Sequence, residues 1–499
     1  MTALVGFIGL NLLLIAVGMA ALWAAGLLDP AAPRWRMFLP AFGPALLTGV
    51  ALIVPWLIVG LVLGIPLTLG TTALVGVGWA LVAVAVGARR SARSGPVVMG
   101  VGSRHNAPTG PAPATLSVGT WAIAAGCAFA AWGTVALAQA PTRGDDARIW
   151  SLRGLTLAYY GRLQPEIFLN PIQAGGHPVY PLLQPVLEAV LSRAVGYPAL
   201  SLFHTELWLV LSAAVWTAGY LIWRRTCAPH TTASALTWLA AVALLAMVPA
   251  AVNNVIIGDA DTTGSVLLGV GVLALGIWID TESRSCLALA GLLLTAAASV
   301  KDEDLLGAVC VILAAGIVVV ARPNHRNLGV RAHLVPLLAL TAYFAALVLP
   351  WRLWLRAHHL SDSVEPPIPH ALNPLYFLDR GTQLKETAAA MVTQTLQGWD
   401  WLAAIFIVVC LICLKSGTAR RAAAFYLTVF VALISFLLWL YATTPLSLAF
   451  LLPTSMDRTV SVFMALTPLA TAHLLASLLH QARSDAPLEL KDPRVGFQA

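Results

Sequence analysis

Four short stretches of this chain set carboxylates, or carboxylates beside a cation, where apolar runs begin or end. Arg143-Gly-Asp-Asp-Ala-Arg-Ile-Trp150 holds the adjacent acids Asp145 and Asp146, and Gly258-Asp-Ala-Asp261 holds another close pair. Ser299-Val-Lys-Asp-Glu-Asp304 crowds Lys301 with three acids into a tight turn, and Leu452-Pro-Thr-Ser-Met-Asp-Arg458 places Asp457 beside Arg458. A carboxylate at a membrane edge can accept a proton, ligate a metal or take hydrogen bonds from a substrate. The plain alternative for the first two stretches is helix capping, with Asp145 or Asp261 accepting from the backbone N–H groups of a first turn. The third is harder to explain as a cap, because a turn that needs only solvation could use Ser, Gly or Asn. Lys301 there suits a phosphate that Glu303 helps to orient. The Arg458 fork also matches phosphate geometry, and Asp457 could neutralise it. Acids and histidines could together hold a divalent metal, although no spaced ligand motif stands out.

These residues are carried by a chain built for lipid. Of 499 residues, 59% are hydrophobic and 10% are charged, against roughly 25% charged in soluble domains. Continuous apolar runs near 20 residues, each long enough to cross the hydrocarbon core, recur along the sequence. Thirteen spans are expected, at about 3–27, 38–66, 68–88, 116–139, 199–223, 233–255, 262–280, 285–300, 304–321, 333–351, 399–414, 421–443 and 459–481. Runs that are continuous rather than alternating must be helices, since a backbone in lipid satisfies its own hydrogen bonds. The expected fold class is therefore an all-α polytopic membrane protein. The first run has no charged segment before it and is expected to remain as a mature span.

Orientation follows from Lys and Arg, which keep their loops in the cytoplasm. An extracytoplasmic N-terminus puts Arg89, Arg90, Arg93, Arg224, Arg225, Arg284, Arg331, Lys415, Arg420 and Arg421 inside, and it puts all four charged stretches outside. Arg458 then lies on the side the rule disfavours, which points to a partner or a ligand. The net charge of +7 sets topology in this reading, and no nucleic-acid partner is expected. All six cysteines lie in or beside apolar runs, so packing is the expected role, including for the Cys410/Cys413 pair.

A Gly-, Pro- and Ser-rich stretch at 91–115 divides a three-span unit, 1–110, from a transmembrane module, 111–484. A polar tail, 485–499, follows on the cytoplasmic side. Outer segments are expected at 141–198, 256–261, 352–398 and 444–458. The first should carry interfacial helices, one around Trp150, Leu155, Leu157, Tyr159 and Tyr160 and one from Pro181 to Val195 with Glu188 and Arg193 on its polar side. The proline- and histidine-rich 352–398 reads as a lid.

Together the stretches resemble bacterial GT-C glycosyltransferases, the class with protein O-mannosyltransferases and aminoarabinose transferases to lipid A. Asp145-Asp-Ala-Arg-Ile-Trp150 with Arg153, followed by Gly176-His-Pro-Val-Tyr-Pro-Leu-Leu183, is similar to that group's outer loop. In order, Gly258-Asp-Ala-Asp261 stands where the group has Tyr-Ala-Asp, Lys301-Asp-Glu303 where it has Lys-Asn-Glu, and Thr454-Ser-Met-Asp-Arg458 where it has Thr-Ser-Leu-Asp-Arg. The resemblance covers about residues 116–481, with four spans before the loop where the group usually has one. It implies a GT-C-like fold and transfer, with inversion, from a polyprenyl-phosphate sugar to a glycan, lipid or protein acceptor, on the outer face of the plasma membrane. Asp145 would be the base and Asp261 a second catalytic acid. Asp146, Arg148, Arg153, His177, Tyr180, Lys301, Glu303 and Arg458 would bind substrate, with Lys301 and Arg458 on the phosphate. The rival expectations are a transporter or flippase of a lipid-linked glycan, which should show inverted repeats and broken helices, and a glycan polymerase or ligase.

Overall fold

The computed structural model describes residues 2–28, 34–93, 133, 149–169, 177–198, 200–226, 259–321, 331–360, 375, 380–397, 401–444 and 447–484. They form helices throughout: α1 (Thr2–Ala25), α2 (Arg34–Val62), α3 (Leu69–Arg93), α4 (Ser151–Tyr160), α5 (Pro165–Leu169), α6 (Leu183–Val195), α7 (Leu200–Thr226), α8 (Ala260–Thr281), α9 (Arg284–Ala298), α10 (Asp302–Ala321), α11 (Arg331–Ala357), α12 (Gly381–Gln397), α13 (Leu402–Ser416), α14 (Arg420–Thr443), α15 (Leu448–Thr459) and α16 (Ser461–Ser484). Among the described residues, eight helices are long and apolar enough to cross a membrane: α1, α2, α3, α7, α8, α10, α11 and α14. Shorter apolar helices stand at Arg284–Ala298, Leu402–Ser416 and, within α16, Ala465–Leu479. By helix length and hydropathy the chain is a multi-pass membrane protein. The expected spans 116–139, apart from Gly133, and 233–255 lie outside the described residues.

The core runs along α8, whose central window is buried all round, as expected of a helix that is apolar on every face. It is enclosed by α7, α9, α10, α14 and α16. α1 and α2 pack backbone to backbone: a Cβ added at Gly18 would fall inside the contact distance of Ala45 O, and one at Gly49 would meet Leu14 O. Small residues at such crossings let apolar helices meet where lipid supplies no hydrophobic drive. α2 also packs on α7, α9 and α11, and α1 on α6.

Backbone contacts sort the helix ends into two groups. At one end, Leu67 N–H donates to Gly161 O at 2.7 Å, Leu183 N–H to Ser299 O at 2.7 Å, and Arg380 Nη1 to Ala442 O at 3.0 Å. At the other, Tyr220 and Ser285 donate to Leu27 O and Ala25 O, His333 Nε2 faces Glu282 Oε1 at 3.3 Å, and Thr418 meets Gln481. The second end gathers Arg90, Arg224, Arg284, Arg331, Lys415 and Arg420; the first gathers Asp259, Asp261, Asp302, Glu303 and Asp304.

Two expectations for the outer segments are corrected. The helix expected from Pro181 begins at Leu183, and Glu188 does not lie on a polar face. It is fully buried against Gly154 of α4, because α6 packs on α4, α1 and α2 as well as on α7 and so has little solvated side. Within 352–398, α11 continues to Ala357, and α12 packs on α14 and α15. The rest of the segment 352–398 expected as a lid, residues 361–374, 376–379 and 398, lies outside the described residues.

Candidate functional site

The site end is built where two helices begin side by side. α8 is capped by Asp259, whose extended backbone lets its side chain accept from Asp261 N–H, so capping falls to Asp259 and the Asp261 side chain is turned elsewhere. It meets Lys301, whose Nζ donates to Asp261 Oδ1 at 2.7 Å. Lys301 stands immediately before α10, and Asp302, Glu303 and Asp304 fill that helix's first turn, where the helix dipole favours negative charge. Glu303 Oε1 lies 3.9 Å from Lys301 Nζ. Asp304 is buried against Gly264, one turn along α8 from Asp261.

Burial would push the Lys301 ammonium toward the neutral amine, but the carboxylates of Asp261, Glu303 and Asp259 outweigh it and hold the pKa well above 10.5. The group is a permanent cation with three donors. Asp261 takes one. Among the described residues no other acceptor is within hydrogen-bond distance of the remaining two.

A strap over Lys301 completes the wall. Its Nζ lies 5.8 Å from the Tyr180 ring centre, and Tyr180 stacks with Trp150 at 5.5 Å and with His177 at 4.5 Å. The strap is tied on three sides. Arg153 Nη2 donates to Pro178 O at 3.1 Å and Tyr180 O at 2.9 Å, Leu183 N–H bonds Ser299 O, and Trp351 Nε1 donates to Val179 O at 3.2 Å. Arg153 is 1% exposed and also lies over Phe168, 5.2 Å from its ring centre. Expected to bind substrate, it is engaged with the strap's backbone and shapes the site through it.

The last expected motif arrives from another direction. Tyr441, at the end of α14, meets Ser455 Oγ at 2.9 Å and Thr459 Oγ1 at 3.1 Å, both on α15. α15 also touches α8, the helix that carries Asp261. Arg458 belongs to α15; its side chain lies outside the described residues, as do Asp145, Asp146 and Arg148 altogether. The structure thus brings Asp261, Lys301, Glu303, Tyr180, His177 and Arg153 to one end, together with the helix of Arg458.

No protein-family model, curated protein or solved structure matches this chain. Among the described residues no group of three or more His, Cys, Asp or Glu is placed to hold a metal ion. Among the described residues the cations paired with these acids are Lys301 and Arg352.

Sequence reasoning missed Arg352, which pairs with Asp302 beside Lys301. The signal was present: Arg352 directly follows the expected span 333–351 and falls outside, so the reasoning that singled out Arg458 applies to it equally. It also missed Tyr441, which looks like any aromatic at a span end.

Proposed function

We propose that the chain is a membrane glycosyltransferase that moves a sugar from a polyprenyl-phosphate donor to an acceptor hydroxyl on the extracytoplasmic side of the plasma membrane, with inversion. The observation that carries this reading is Lys301: an ammonium 12% exposed, fixed by Asp261 and, among the described residues, with two N–H donors unmatched, at the start of the candidate span α10. That is the chemistry a lipid phosphate needs, an oriented cation at the depth of a head group. The ordered motifs that resemble GT-C enzymes support it, since four of them meet or adjoin at this end.

In this mechanism the donor's chain lies in the bilayer, and its phosphate accepts from Lys301 and Arg458. Asp145 takes the proton of the acceptor hydroxyl as the oxygen attacks the anomeric carbon. The bond from that carbon to the phosphate oxygen breaks, and its electron pair leaves with the phosphate, whose growing charge the two cations stabilise. Asp261 and Glu303 orient Lys301. A lipid-linked donor needs no nucleotide-binding loop.

One observation favours a rival. Asn11 on α1 donates to the buried Glu206 on α7 at 2.8 Å, inside two candidate spans, and an intramembrane carboxyl is the kind of group that marks a transport path. The full chain in nanodiscs, offered a labelled polyprenyl-phosphate sugar, separates the two. Sugar transfer should occur, and Lys301→Gln should weaken donor binding about 10–100-fold, the size of a lost charge-assisted contact. Donor binding unaffected by Lys301→Gln would overturn the phosphate role, and lipid translocation without transfer would favour the transporter.

A further inference from the structure

One phenol fixes the helix that carries Arg458. Tyr441 sits in the last turn of α14, 4% exposed, and its hydroxyl reaches Ser455 and Thr459 together. These residues are four apart and share one face of α15. Thr459 Oγ1 donates to Ser455 O at 2.8 Å, so its proton is committed and Tyr441 donates to it. Ser455 Oγ, 2.9 Å from Leu451 O, can then turn its proton to that carbonyl or to the phenol oxygen. α15 packs on α12, α8 and α16, and within that packing two hydroxyl contacts one turn apart on the same face select one rotation. Of these neighbours, α8 carries Asp261, which holds Lys301. The hydroxyl that ties α15 to α14 therefore acts on a helix that borders the Asp261–Lys301 pair. Residue 458 directly precedes Thr459, about 100° around the helix from it. A roll of α15 would swing it by the same angle.

We propose that Tyr441 is a positioning residue: its hydroxyl sets the rotation of α15 so that Arg458 and Lys301 act on the same phosphate. This rests on the phosphate reading above, and it adds a residue that touches neither donor nor acceptor. It explains why a phenol is buried at a helix end with both partners on the motif helix and none on its own.

The test uses the full chain in nanodiscs and a polyprenyl phosphate as probe, with affinity as readout. Tyr441→Phe keeps the ring and removes only the hydroxyl. It should weaken binding about 2–10-fold, the value of one hydrogen bond. On an Arg458→Ala background the same change should cost nothing further, because the residue it positions is gone. Ser455→Ala with Thr459→Val, which leaves Tyr441 in place, should reproduce the loss. Full affinity in both the Tyr441 and the Ser455/Thr459 variants would overturn the proposal, as would a Tyr441→Phe effect that persists undiminished beside Arg458→Ala. If Arg458→Ala alone leaves affinity intact, the phosphate role of Arg458 fails and takes the positioning role with it. If Arg458→Ala weakens binding and Tyr441→Phe does not, only the positioning role falls.

Discussion

Lys301 stands between two opposed demands, desolvation that favours an amine and neighbouring carboxylates that favour an ammonium, and the carboxylates prevail. The consequence for pH follows from the sign. A cation whose folded pKa lies above its unfolded value adds stability that is fully present below the unfolded value and is lost as pH rises through the folded one. The Tm difference between the protein and Lys301→Met should therefore be constant from pH 6 to 9 and shrink only above about 10.5, where the unfolded lysine begins to titrate. A step near neutrality would mean that the amine is neutral in the fold. Asp145 and Asp146, which lie outside the described residues, pose a different question: the expected helix would point adjacent residues about 100° apart, so that only one could face an acceptor. In the proposed mechanism, with Asp145 aligned to the GT-C stretch, Asp145 would be the base. Asp145→Asn should cut turnover roughly 10²–10⁴-fold and Asp146→Asn far less; the reverse pattern in a steady-state assay would shift the assignment by one residue.

At the scale of elements, the site depends on two parallel helix starts held close by a glycine. A Cβ at Gly264 would fall on the Asp304 carboxylate, so Gly264→Ala must push α8 and α10 apart or turn Asp304 away. Either response strains the Asp261–Lys301 contact. Overpacking of this kind costs roughly 1–3 kcal/mol; thermal unfolding of the purified variant should show the loss, and a Tm equal to the parent's would mean that Asp304 gives way freely. Such close approaches were not legible in the sequence, where Gly264 is one of 39 glycines. Eight of the thirteen expected spans were, because each is a continuous apolar run and the solvent that selects it is uniform; those at 285–300, 399–414 and 459–481 appear as shorter apolar helices. Interfacial packing is less uniform, so a polar residue on α6 could be placed on a wet face by its type while Glu188 is in fact enclosed. The cap was misplaced for a related reason: Asp259 and Asp261 are equally good capping residues, and only the helix's starting point decides between them. The strap was invisible, since its ties are backbone carbonyls that no side-chain pattern marks.

For the whole molecule, the charge asymmetry between its ends links fold to function. Asp259, Asp261, Asp302, Glu303 and Asp304 gather at the site end with the paired cations Lys301 and Arg352, while Arg90, Arg224, Arg284, Arg331, Lys415 and Arg420 gather at the other. The positive-inside rule would turn the basic end to the cytoplasm. This division matters chemically, because a sugar on a lipid phosphate is a substrate for the outer face, whereas nucleotide sugars are used inside. Orientation can be measured apart from activity once Cys127, Cys227 and the half-buried Cys310 are replaced by Ser, since Cys286, Cys410 and Cys413 are buried and offer little background to a thiol reagent. Tyr159 is exposed on α4 at the site end, and position 100 lies in the linker after α3. In intact cells a membrane-impermeant maleimide should label Tyr159→Cys and leave Gly100→Cys untouched until the membrane is opened. The opposite result would turn the molecule over, put Lys301 in the cytoplasm, and remove the reason for a lipid-linked donor while leaving the contacts around Lys301 as they are. The charge pattern would then have to serve a cytoplasmic anion.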